Sequence, residues 1–251
     1  MDLLSALLLG LVQGLTEFLP ISSSGHLVLA QQLLGFKEPM LFFDLLLHLG
    51  TLAAVVIYFR KDLLGILRQN ESEESLRLSG RRWLILIAVG TIPTGLIGFF
   101  FKDQFEALFG SPKIVSIMLL ITALLLAFSD RVKSAKSRAG HLVIWQSLIV
   151  GVAQGIAIIP GLSRSGATIT AAIFSGVQPN TAARFSFLLS IPAILGATAL
   201  EAGDAVGSFD GNWVVYLLGV SVAFVSGYFS IDILLKLVTR RKLWRFSVYL
   251  I

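Results

Sequence analysis

"GLVQGLTEFLPISSSG", residues 10–25, occurs twice in this chain in altered form. Shifting the sequence by 141 positions lays it on "GVAQGIAIIPGLSRSG", residues 151–166. Gly10, Gln13, Gly14, Ser22, Ser24 and Gly25 then meet Gly151, Gln154, Gly155, Ser163, Ser165 and Gly166. A second block follows at an offset of 129, where "GTIPTGLIGFFFKD" (90–103) meets "GVSVAFVSGYFSID" (219–232). Matched glycines and polar residues in apolar sequence point to an internal duplication, with one repeat over 1–130 and another over 141–251 of a single membrane domain.

The surroundings of these stretches set the solvent. Apolar residues make up 55% of the 251 and charged residues only 14%, against roughly a quarter charged in soluble domains. Charges gather in short loops between long apolar runs, the pattern of a chain that crosses a bilayer several times. The net charge of +5 therefore reads as topology signal and lipid-headgroup contact rather than as nucleic-acid binding. The chain has no cysteine, which excludes disulfide and thiolate chemistry. Asp2 stands where a signal peptide would be basic, so the apolar N-terminus is expected to belong to the fold.

Each repeat opens with a broken apolar segment, about 3–34 and 142–175, and continues with ordinary spans. These are expected near 40–59, 83–101 and 113–129 in the first repeat, and near 183–200 and 213–235 in the second. The closing run "KLWRFSVYLI" (242–251) is too short for the roughly 20 residues that a spanning helix needs. It is expected to be a stub or a truncated last helix, giving five to six transmembrane helices in all.

Basic residues sit in three loops: Arg60, Lys61, Arg68, Arg77, Arg81 and Arg82; Arg131, Lys133, Lys136 and Arg138; and Arg240, Arg241, Lys242 and Arg245. Glu201, Asp204 and Asp210 occupy a loop without basic residues. The positive-inside rule places the basic loops in the cytoplasm. The first broken segment then dips in from the outer face and the second from the inner face. That is an all-α fold with an inverted-topology repeat and two re-entrant hairpins, whose half-helix ends meet near the midplane. Phe99 to Phe101 are expected to face lipid or the interface, and Glu71, Glu73 and Glu74 to be a solvated loop face.

The breaks carry the chemistry. Gln13 and Glu17 are four apart and share a helical face. Pro20 stops that half-helix; Ser22, Ser23 and Ser24 start the next, and His26 follows within one turn. In the second repeat Gln154 precedes Pro160 and Gly161, and Ser163, Arg164 and Ser165 open a half-helix with Thr168 one turn in. Two helix N-termini, several hydroxyls and an arginine suit a phosphate group. Glu17 would repel that anion unless a divalent cation, magnesium or calcium, stood between them. Asp44 and His48 form either a packing hydrogen bond or an outer part of the site, packing being the favoured reading.

"QGLTEFLPISSSGH" (13–26) and "PGLSRSGAT" (160–168) resemble the two signature motifs of bacterial undecaprenyl-diphosphate phosphatases, integral membrane enzymes linked to bacitracin resistance. "FFDLLLHLGT" and "RFSFLLSIPA" extend the resemblance over nearly the whole chain. Gln13 is a permitted variant at the first position of the family's E/Q-x-x-x-E element. The resemblance implies removal of the terminal phosphate of the C55 isoprenoid diphosphate, which recycles the carrier lipid of cell-wall synthesis in the bacterial inner membrane. It also implies a divalent cation, with Glu17, Ser23, His26, Ser163, Arg164 and Thr168 as working residues and Gln13 in support. On this reading Arg164 and the half-helix ends hold the diphosphate, with Ser22, Ser24, Ser163, Ser165 and Thr168 as further phosphate contacts. Glu17 holds the cation and His26 acts as base or acid. Ser23 is either the nucleophile or a phosphate donor while water attacks. The outer face is the expected side of entry, and a homodimer is left open. A flippase or transporter for lipid phosphates, built on the same repeat, is the competing class.

Overall fold

The computed structural model describes residues 1–36, 40–68, 79–109, 111–132, 142–206 and 212–251. Arg77, Lys133, Lys136, Arg138, Asp210 and the glutamates Glu71, Glu73 and Glu74 lie outside the described residues. Those described are helical throughout, without a strand: α1 (Leu3–Phe18), α2 (Ser23–Leu33), α3 (Leu41–Tyr58), α4 (Arg60–Arg68), α5 (Gly80–Phe100), α6 (Lys102–Phe109), α7 (Pro112–Ser129), α8 (Ile144–Ile156), α9 (Arg164–Phe174), α10 (Pro179–Val206), α11 (Trp213–Thr239) and α12 (Trp244–Leu250).

Four of these helices, Leu41–Tyr58, Gly80–Phe100, Pro179–Gly203 and Trp213–Thr239, are long and apolar enough to cross a membrane. The fifth expected span is an apolar helix that falls just short of that length, Lys113–Ser129. The closing run forms the seven-residue α12. It lies along α7, where the Trp244 amide donates to Asp130 Oδ2 at 2.9 Å and Arg241 donates to the Val132 carbonyl at 2.7 Å. Phe99, Phe100 and Phe101 are exposed, as expected of side chains that meet lipid.

Both broken segments fold back as helix pairs, α1 on α2 and α8 on α9. Each first arm then lies on a long helix: α1 on α11, and α8 on α5. Glycines permit both crossings. A Cβ on Gly10 would collide with the Gly219 carbonyl, and one on Gly151 with the Gly90 carbonyl. These are the residues that the two sequence offsets align, so the recurring glycines mark two equivalent backbone contacts. Close approach through small residues is how helices associate where lipid removes the hydrophobic drive.

Aromatic packing fills the space between the halves. Phe18, next to Glu17, meets Phe187 edge-on with ring centroids 5.7 Å apart, and Phe59 packs on the same Phe187 at 5.5 Å. Phe43 and Tyr216 close the region where α1 and α3 meet α11. At the other end, Asp62 of α4 and Arg184 of α10 form an ion pair at 2.7 Å.

Substituting Gly10→Ala or Gly151→Ala should therefore force a helix pair apart and cost about 1–3 kcal/mol, the range for overpacking. Gly196→Ala, where an added Cβ meets nothing within 4 Å, should leave the protein unaffected. Melting temperatures in detergent, compared across the three variants, check this.

Candidate active site

At the first break, α1 ends at Phe18 and the chain turns through Leu19–Pro20–Ile21 before α2 begins at Ser23. Ser22 stands at the helix start with φ of +68°, a left-handed conformation that costs a residue with a side chain roughly 1–3 kcal/mol. Its hydroxyl makes no cap to the helix and lies 3.3 Å from the Ser24 hydroxyl. At the second break Gly161 takes the positive φ (+89°), pressed on Val115 of α7. Ser163 caps α9 by accepting from the Gly166 amide at 3.1 Å, and its hydroxyl lies 3.2 Å from that of Ser165. Thr122 of α7 clasps this break, accepting from the Ser163 amide at 3.1 Å.

The two breaks meet at Glu17. One carboxylate oxygen, Oε1, pairs with Arg164 of α9. The other, Oε2, accepts from the Ser23 hydroxyl at 2.5 Å and from Gln13 Nε2 at 3.1 Å. His48 Nε2, from α3, stands 3.7 Å from the same oxygen. The Glu17 side chain is only 4% exposed, Arg164 20% and His48 34%, so the cluster is buried at the carboxylate and open on the cationic side. A buried carboxylate needs such partners, and removing one leaves an uncompensated charge.

Of the residues singled out by sequence, Gln13, Glu17, Ser23 and Arg164 come together here. Thr168 lies behind Arg164, donating to its carbonyl at 2.8 Å and standing 2.5 Å from the Ser186 hydroxyl. Ser22, Ser24, Ser163 and Ser165 line the two helix starts as pairs. His26 is directed elsewhere: Nδ1 lies 2.9 Å from the Ser22 carbonyl and Nε2 lies 2.9 Å from the Tyr249 hydroxyl of α12. Gln154, the counterpart of Gln13, faces Thr94 of α5 at 3.2 Å and serves the α5–α8 crossing. The two helix starts thus lie around the Glu17 carboxylate, with Arg164 paired to one of its oxygens.

His48, Tyr249, Thr122 and Ser186 are the residues that motif reading passed over or set aside. For His48 the signal was its presence with Asp44 in an apolar span. Tyr249 lies 223 positions from His26, and no local pattern announces such a contact.

A divalent cation has a partial donor set here. Glu17, Ser23 and Gln13 offer oxygens, and Gln13 Oε1 is buried without a hydrogen-bond partner. Among the described residues no group of three or more His, Cys, Asp or Glu could hold a metal ion. The residues present therefore fit a cation that takes its remaining ligands from a phosphate substrate, as magnesium commonly does.

The sequence profile of bacitracin resistance protein BacA matches residues 6–251. The chain belongs to the BacA family. A protein named undecaprenyl-diphosphatase from Syntrophotalea carbinolica is 47% identical over 99% of this chain and 95% of its own length. Proteins of the same name from Carboxydothermus hydrogenoformans and Methanosphaera stadtmanae are 46% and 42% identical, each over 99% of this chain and 94% of their own. The two breaks that meet at Glu17, joined by its ion pair with Arg164, both lie within the matched residues.

Arg164→Ala should destabilise the protein by about 3 kcal/mol, the lower end for breaking a buried pair. The double variant Glu17→Gln/Arg164→Ala should recover most of that loss. Thermal denaturation of the single and double variants in one detergent checks the coupling.

Proposed function

We propose that this chain hydrolyses undecaprenyl diphosphate to undecaprenyl phosphate and inorganic phosphate. The observation that carries this reading is the meeting of both signature motifs on Glu17, with Ser23 and Arg164 bonded to its two oxygens, in a chain whose relatives bear the name of that activity.

The substrate's terminal phosphate enters between the N-termini of α2 and α9, where free amides and helix dipoles favour an anion. Arg164 exchanges Glu17 for phosphate oxygens and holds the charge that develops in transfer. Ser23 passes its proton to Glu17 at Oε1, the oxygen that Arg164 vacates, and the serine oxygen becomes the nucleophile. That oxygen bonds to the terminal phosphorus as the phosphorus–bridging oxygen bond breaks, releasing undecaprenyl phosphate. Water then cleaves the phosphoserine to give inorganic phosphate and return the serine. His26, one turn along α2, exchanges protons at the edge of the site when Nε2 parts from Tyr249. Thr168 and the paired serines hold the two helix starts in place. Glu17, Gln13 and Ser23 would hold a divalent cation, which supplies neutralisation of phosphate oxygens when bound.

The fold proposed around this site is the inverted repeat, residues 1–130 and 141–251, with both hairpins re-entrant in the bacterial cytoplasmic membrane and the site reached from outside. The paired crossings at Gly10–Gly219 and Gly151–Gly90 support it. Both motifs come from one chain, so the chemistry does not require a homodimer.

Purified protein should release phosphate from undecaprenyl diphosphate, and chelator should abolish the release. Ser23→Ala should lower kcat by about 10³-fold or more, in the range for loss of a nucleophile. Acid quenching with labelled substrate should trap phosphoserine on the native chain. No release under any metal condition would overturn the reading.

Topology has a separate check, made clean by the absence of cysteine. Lys61→Cys should react with an impermeant maleimide only in opened membranes, and Glu201→Cys in intact cells. The reverse pattern would invert the orientation.

A further inference from the structure

His48 has a geometry that packing alone does not explain. Its Nδ1 lies 2.8 Å from the Asp44 carbonyl, an oxygen that only accepts, so Nδ1 carries a proton. In the neutral ring Nε2 then presents a lone pair, and it faces Glu17 Oε2 at 3.7 Å. That separation is too long for a hydrogen bond. It lies within the span of two ligands that share one ion at about 2.1 Å each. A histidine whose other nitrogen donates to a backbone carbonyl is the usual outer-shell arrangement of a metal ligand. Gln31 supports the turn from α2 by donating to Asp44 Oδ1 at 2.7 Å. Gln13 donates from Nε2 to Glu17 Oε2 at 3.1 Å, and its Oε1, which a turn of the amide would bring to the same side, is buried with no hydrogen-bond partner.

The second repeat supplies an independent comparison. With one residue added after the hairpin, "FFDLLLHLGT" (42–51) lies on "RFSFLLSIPA" (184–193). Ser190 then stands at the place of His48, and at the hairpin offset Ile158 stands at the place of Glu17. The half without the carboxylate is also the half without the imidazole, although it keeps the glutamine.

We propose that His48 Nε2 and Glu17 Oε2 are the paired protein ligands of the divalent cation, with Gln13 Oε1 as a third donor and the diphosphate completing the shell. This rests on the hydrolase reading above and adds a nitrogen ligand to it. An imidazole donor shifts preference towards manganese or zinc over magnesium or calcium. With so few protein donors, the cation binds tightly only together with diphosphate.

The test uses the full chain in detergent with Mn²⁺ and methylene diphosphonate, a diphosphate that is not hydrolysed. Electron spin-echo spectra of bound Mn²⁺ should show ¹⁴N modulation from one imidazole. His48→Gln should abolish it and weaken Mn²⁺ binding by about tenfold or more, whereas His26→Gln should keep it. Loss of modulation in both variants, its persistence in His48→Gln, or its absence from the unaltered protein would overturn the assignment. Phosphate release by the same preparation tests the parent reading separately. Release without nitrogen coupling removes His48 alone, and no release removes the hydrolase.

Discussion

A buried carboxylate, Glu17, is held by an arginine 147 positions away along the chain. Neither partner is stable there alone: an isolated charge in hydrocarbon surroundings costs several kcal/mol, and a buried pair broken on one side leaves that cost unrelieved. The contact therefore fixes where the two chain breaks must meet. Ser23 and Gln13 satisfy the remaining oxygen. The pair also leaves the two charges balanced against each other.

The helices serve to bring those breaks together. The first arm of each helix pair crosses a long helix at glycines that bring the backbones into direct contact, Gly10 on Gly219 and Gly151 on Gly90. The aromatic set around Phe18, Phe59 and Phe187 fills the space beside Glu17. Irregular backbone needs partners for its polar groups, and α7 covers the second break through Thr122 and Val115. The strain at Ser22 is retained where the chain turns into Ser23, which keeps the hydroxyl directed at Glu17.

Much of this was legible in the residues themselves. Pro20 and Pro160, each followed by small polar residues, marked both breaks, and the long apolar runs marked the spans to within a few residues. Gln13, Glu17, Ser23 and Arg164 were recognisable because polar groups in apolar sequence need partners. The contacts of the histidines were not legible. His26 lies beside the serines in sequence, yet a helix start turns its ring away towards α12. His48 lies 31 positions from Glu17 and reaches it only because α3 passes the end of α1. Gln13 and Gln154 align in sequence but diverge in use, since Glu17 is replaced by Ile158 in the second half and the amide turns to Thr94 instead. Spacing along one helix reports which residues share a face, but not what another helix brings to it.

The central claim is that one diphosphate site lies between the two breaks and that Arg164 leaves Glu17 to occupy it. An experimental structure with methylene diphosphonate bound tests this most directly. Expected is phosphorus density between Ser23 and Arg164, with the guanidinium on phosphate oxygens and no longer on Glu17. Density elsewhere, with the Glu17–Arg164 pair intact, would contradict it.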